Sequence, residues 1–117
     1  MELLDLVRAL RDGDALAARQ WVADAVRSRL DLESLARPAG QDAVAMAIAA
    51  GTVELLAERW RQRPPDWTAA VPPAPEPVLL VKAAARLPRL RRTCETEGPA
   101  PLRRRRLLAP PDFLTVA

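Results

Sequence analysis

Apolar positions recur with helical spacing through the first half of the chain. Leu3, Leu6, Val7 and Leu10 fall at i, i+3, i+4 and i+7, which marks one stripe of an amphipathic helix. Gly13 is placed to end that helix in the left-handed conformation, and Asp14 to cap the next one with its carboxylate. The second helix is predicted over residues 15–30, with Ala15, Ala18, Val22, Ala25 and Val26 inward and Trp21 at the edge of the stripe. Leu30, Leu32 and Leu35 then suggest a short packed turn, stopped by Pro38 and Gly40. Residues 42–62 read as a second helical hairpin: "DAVAMAIAA", a turn at Gly51, a cap at Thr52, and "VELLAERW" with Val53, Leu56, Ala57 and Trp60 on one face. "ALRDGD" and "AIAAGT" match at a spacing of 38 residues, which sets Gly13 over Gly51.

The pattern changes at residue 64. Eleven of the 12 prolines lie at or beyond it. "PPDWTAAVPPAPEP" is too rich in proline for a helix or a central strand and is expected to be an ordered extended strap across the helices, with Trp67 and Val71 as its pegs. Pro77 suits the start of a helix, "PVLLVKAAAR"; "VLLV" alone could be a strand, but the alanines after it favour helix; Pro88 restarts it as "PRLRRTCETEG"; Pro101 opens a last one, "PLRRRRLLA". In the final "DFLTVA", Phe113 and Leu114 are expected to dock on the body, since a solvated tail has little use for such residues. The expected fold class is all-α: a small single-domain helical bundle or stack of helical hairpins over residues 1–117. Acidic hairpins take residues 1–63, the strap 64–77, and basic helices with the docked tail 78–117.

Charge sharpens this division. Residues 1–66 carry nine basic and eleven acidic side chains, and residues 67–117 nine basic and four acidic, within a total of +3. A basic second half is suited to an acidic partner, a phosphate backbone or the chain's own acidic first half. Only Lys82 among the 18 basic residues is lysine, an arginine bias that goes with the abundant alanine and proline and makes arginine runs easy to generate.

The residue types exclude much chemistry. The chain has no histidine, so the commonest general base and metal ligand is missing, and one cysteine, Cys94, which allows neither an intrachain disulfide nor a zinc site. Gly13, Gly40, Gly51 and Gly98 are isolated and form no phosphate loop. Asp12 with Asp14 and Glu95 with Glu97 are close in sequence but are expected to be solvated at a turn and a helix end. Arg91 and Arg92 precede Cys94 and would lower its pKa if they faced it, although a plain helical cysteine is the simpler reading. "MELLDLVRALRDGD" lacks the basic start of a signal peptide, and "AVAMAIAAGTV" is about half a membrane span. With the lone thiol, these features point to the cytoplasm. No catalytic residue, cofactor or metal is expected.

"AVAMAIAAGTVELLAERW" resembles two patterns over about twenty residues. It is similar to a DNA-binding helix-turn-helix, with Ala47 at the small position, Gly51 at the turn and Met46, Ala57 and Trp60 in apolar contact. It is also similar to the helical pair of an ankyrin repeat, without that family's turn-and-hairpin signature. As a recognition helix the segment would present Glu54 and Glu58 to phosphate beside Arg59, a poor match for DNA.

The run Arg103, Arg104, Arg105 and Arg106 decides how the basic half is used. Successive helical side chains turn by about 100°, so four in a row cannot share one face, and at least one must point inward, to a partner or with its stem over apolar surface and its guanidinium at the edge. Glu95, Glu97, Asp112 or the acidic first half are the candidates. Arg89, Arg91 and Arg92 extend the basic face. The expected function is a non-enzymatic bacterial interaction module, such as an adaptor, antitoxin-like protein or accessory subunit. It would contact a protein of acidic or mixed surface through Trp67, Arg89, Arg92, Arg103, Arg104, Arg105, Arg106 and Phe113, with the arginine run dispensable for folding. The alternative is a small DNA-binding regulator using residues 43–62, with arginines on phosphates.

Overall fold

The computed structural model describes residues 1–115. Helix α1, Leu3–Asp12, buries Leu3, Leu6, Val7 and Leu10, the stripe its spacing defines. Gly13 ends it at φ 70°, and Asp14 accepts from the Ala17 amide at 3.0 Å to start α2, Ala15–Arg27. Ala18, Val22 and Ala25 face inward, whereas Ala15 and Val26 are exposed. Trp21 is buried and donates its indole N–H to the Glu2 carbonyl at 2.9 Å, tying α2 to the start of α1. A single 3₁₀ turn at Leu32–Ser34 carries the buried Leu32.

Helix α3, Ala43–Trp60, is one unbroken helix and the axis of the molecule. Asp42 caps it, accepting from the Ala45 amide at 2.8 Å. Twelve of its residues are buried, from Ala45 through Ala57, so it is apolar almost all round, as expected of a central helix. The hairpin expected at residues 42–62 is therefore absent. Gly51 lies inside the helix, where its lack of a side chain lets the later chain approach closely: a Cβ there would lie 2.9 Å from a Leu107 methyl and 3.3 Å from a Leu102 methyl. The likeness between Gly13 and Gly51 does not extend to structure, and both resemblances that needed a turn at Gly51 lose it.

The strap after α3 is ordered. Arg61 adopts the left-handed conformation and closes α3. Gln62 then bridges to the 3₁₀ region, accepting from the Leu32 amide at 2.9 Å and donating to the Leu30 carbonyl at 3.1 Å. Residues Asp66–Ala70 form a 3₁₀ turn against α3. Val71 is buried with Met46 and Ala50, and the half-buried Trp67 packs on them.

The second half differs from its expected helices in two places. Val78–Leu79 form a strand, β1, which pairs in parallel with Leu107–Leu108, β2. A 3₁₀ turn, Lys82–Ala85, follows β1, then α4, Pro88–Glu97, and the short α5, Ala100–Arg103. These form the crossover that a parallel pair requires. The helix expected from Pro77 is replaced by β1 because "VLL" meets the second strand, a contact no local propensity encodes. The helix expected through "PLRRRRLLA" stops at Arg103, since Arg106 turns left-handed at φ 62° and delivers Leu107 to the sheet. Leu102 and Leu107 join Leu6, Leu32, Ile48, Leu55 and Leu56 as fully buried side chains of the main core. With five α-helices and this one small sheet among the described residues, the fold is all-α. The tail docks through the buried Leu114 and half-buried Phe113; its last two residues, 116 and 117, lie outside the described residues.

Candidate functional site

The four consecutive arginines point four ways, and each finds a protein partner. Arg103 donates to the Gly98 carbonyl at 2.7 Å and the Thr96 carbonyl at 3.3 Å, and so satisfies the C-terminal end of α4. Arg104 is exposed, with a guanidinium nitrogen 3.6 Å from the Glu54 carboxylate. Arg105 is buried at 6 % exposure. Its guanidinium forks onto both oxygens of Glu54 and donates to the Thr68 carbonyl at 2.7 Å. Its own carbonyl accepts from the Ala74 amide at 3.0 Å, while Arg106 donates to the Pro75 carbonyl at 2.8 Å and accepts from the Val78 amide at 2.9 Å.

The run is thus a clasp that fastens α3, the strap, α4 and β1 together. The expected internal partner comes from the acidic first half and is Glu54, rather than Glu95, Glu97 or Asp112. Arg105 is therefore buried rather than a surface contact, while Arg103, Arg104 and Arg106 stay exposed. Arg105 is inaccessible to a partner, and Arg103 and Arg106 are occupied by backbone carbonyls.

Trp67 and Phe113, also read as contact residues, are structural in large part. Trp67 donates its indole N–H to the Leu35 carbonyl at 2.9 Å. Phe113 is held through its carbonyl by Arg59, which also donates to the Pro111 carbonyl at 3.1 Å. Burial lowers the Arg59 pKa, and the charges of Glu58 and Asp112 work against that shift.

Helix α4 offers what the run does not. Arg86, Arg89 and Arg92 are spaced by three residues from the end of the 3₁₀ turn along α4, and all are exposed. None has a carboxylate within 4.0 Å among the described residues, whereas Arg91 lies 3.8 Å from Glu95. Leu87 stands between them, 53 % exposed. Cys94 faces the other way, buried with Ala84 and Leu108. Burial, followed by the charge of Glu95, raises its pKa. This is the opposite of a reactive thiolate next to arginines.

A groove of about 550 Å³ opens between the α1–α2 turn, the segment Leu80–Lys82 and the C-terminal tail. Leu10, Ala18, Leu80 and Leu114 are buried residues of its lining, and the half-buried Phe113 also borders it. Sequence reading missed this groove because its walls come from three distant segments.

Among the described residues, no group of three or more Cys, Asp or Glu side chains is placed to hold a metal, and no helix is long and apolar enough to cross a membrane. No protein-family model matches the chain, and no curated protein or solved structure shows significant similarity to it.

Proposed function

We propose that the protein is a non-enzymatic interaction module that contacts an acidic surface of another protein through α4. One observation carries the reading. In a chain whose arginine run is largely engaged by internal bonds, Arg86, Arg89 and Arg92 keep exposed guanidiniums with no carboxylate nearby among the described residues, around the exposed Leu87. Arginine combines charge, planar hydrogen bonding and apolar stem, and is enriched among residues that dominate protein contacts. Internal use of the strap and the tail, and the spacing of three exposed arginines around an exposed leucine, favour this helix as the contact. Without histidine or a reactive thiol, the chain works by surface rather than by proton transfer in this reading.

A photo-crosslinking side chain in place of Leu87 tests the proposal in a nuclease-treated cell extract. The expected result is a cross-linked protein with an acidic patch, lost when Arg86, Arg89 and Arg92 are changed to glutamate and weakened by salt, with the melting temperature preserved. Cross-links that vanish with nuclease treatment, or that survive the triple change, would overturn it. A DNA-reading function of residues 43–62 is not retained, because α3 lies at the centre of the molecule.

A further inference from the structure

We propose that residues 83–97, the body of the 3₁₀ turn and α4, are a switch segment: they open from the rest of the molecule as a unit, and carboxylates brought to the first turn of α4 hold them closed. The inference deepens the α4 contact and rests on it only for the source of those carboxylates.

Burial sets the segment apart. Helices α1 and α4 are both ten residues long, yet α1 buries five side chains and α4 only Cys94. Cys94 packs with Ala84, the half-buried Leu90, and Leu79 and Leu108 of the sheet, in a small cluster apart from the main core. No residue of 83–97 belongs to that core. The backbone hydrogen bonds of the segment stay within it or reach Val81. Both ends are anchored: the Lys82 stem lies across Gly13, and Gly98 sits so close to the Ala109 carbonyl that a Cβ would lie 2.6 Å from it. A segment with fixed ends, few buried apolar groups and local hydrogen bonds opens at a lower free energy than the whole molecule unfolds.

Charge works against closure. The helix dipole favours acids at the N-terminal end and cations at the C-terminal end. In α4 the order is reversed: Arg89 and Arg91 stand in the first turn, with Arg86 just ahead, and Glu95 and Glu97 in the last. Leu87, at the N-cap position, offers no side-chain acceptor to the first amides. The Arg91–Glu95 pair has the less favourable order of the two signs. The C-terminal end is served from outside, by Arg103. A carboxylate near Arg86, Arg89 and Arg92 therefore gains more from the closed helix than from the open chain, since closure gathers the cations at the positive end of the dipole, and a ligand with that preference shifts the equilibrium toward closure.

Cys94, the chain's only thiol and fully buried, reports the opening. Its reaction with a coloured aromatic disulfide is followed at stepped urea, beside global unfolding by circular dichroism. Labelling without urea is expected at least about tenfold faster than global unfolding allows, with a urea slope no more than about a third of the global one. Leu87→Asp, which supplies the missing cap, and Arg89→Glu, which reverses a charge at the positive end, should each slow labelling about two- to fivefold. The same reversal at the exposed Arg37 should leave the rate unchanged. Poly-glutamate at low salt should slow labelling of the unaltered chain and not of the Arg86→Glu/Arg89→Glu/Arg92→Glu variant. Labelling that tracks global unfolding would overturn the proposal and leave the α4 contact standing, since the Leu87 cross-link reads that contact directly. A rate left unchanged by either substitution or by poly-glutamate would overturn it as well.

Discussion

The guanidinium of Arg105 forks onto the carboxylate of Glu54 across 51 residues of chain, inside the protein. Glu54 sits on the central helix and Arg105 just before the strand that completes the sheet, so this pair connects the two halves of opposite charge balance. Its geometry is bidentate, and the same guanidinium nitrogen that reaches the second oxygen also satisfies the Thr68 carbonyl. Such a pair specifies an arrangement more than it adds net stability, since both charges leave water to form it.

Removing one partner of this pair is expected to be severe. Arg105→Ala should destabilise the protein by about 3–5 kcal/mol in urea unfolding, because Glu54 and the Thr68 carbonyl lose their donor. The double change Arg105→Met/Glu54→Leu should recover most of that loss. Changing all four arginines of residues 103–106 to serine should abolish cooperative unfolding; a normal melt of that variant would show that the clasp is not needed.

Arg59 holds the tail through the carbonyls of Pro111 and Phe113. Deleting residues 110–117 removes those bonds and the burial of Leu114, and should cost about 2–4 kcal/mol. Arg59→Ala should cost less, and tail cleavage by a nonspecific protease should become faster in it. An unchanged melting temperature after the deletion would mean that the tail contributes nothing to the body.

Gly51 separates a helix interior from a turn. Gly51→Leu should destabilise by about 1–3 kcal/mol or more through overpacking against Leu107 and Leu102. The same change at an exposed interhelical turn would alter the thermal midpoint little.

Asp42 accepts from the Ala45 amide and faces Arg11, whose Nη1 lies 3.0 Å from one of its oxygens, and these bonds hold its pKa below the ordinary 3.8. The folded state therefore favours the charged carboxylate. Its contribution is fully present above the unfolded value and is lost as pH falls through the lowered folded value. Asp42→Asn should flatten stability against pH on the acid side, below about pH 4, measured by urea unfolding at stepped pH. An equally steep acid limb in the variant would assign the acid sensitivity to other carboxylates.

The elements that were legible in the sequence are those decided within a few residues. The stripe of α1, the Gly13–Asp14 junction and the restart at Pro88 each rest on local sterics or hydrogen bonding. Arg89 and Arg92 were legible as a basic face for the same reason: a helix predicted there fixes their spacing. Leu10, Leu80 and Phe113 were not legible as walls of one groove, because it exists only where the α1–α2 turn meets Leu80 and the tail.

The sequence by itself determined a helical chain with an acidic first half and a basic second half, a proline segment that is not helix, and an arginine run that cannot all face solvent. Those conclusions follow from periodicity, fixed proline φ and the cost of burying a charge alone. Tertiary structure alone decided that Gly51 stays helical, that Val78–Leu79 becomes a strand, and that Glu54 is the acid Arg105 finds. Each of these depends on contacts with Leu107 or its neighbours more than twenty residues away, and a segment with nearly balanced local preferences adopts the conformation that such partners stabilise.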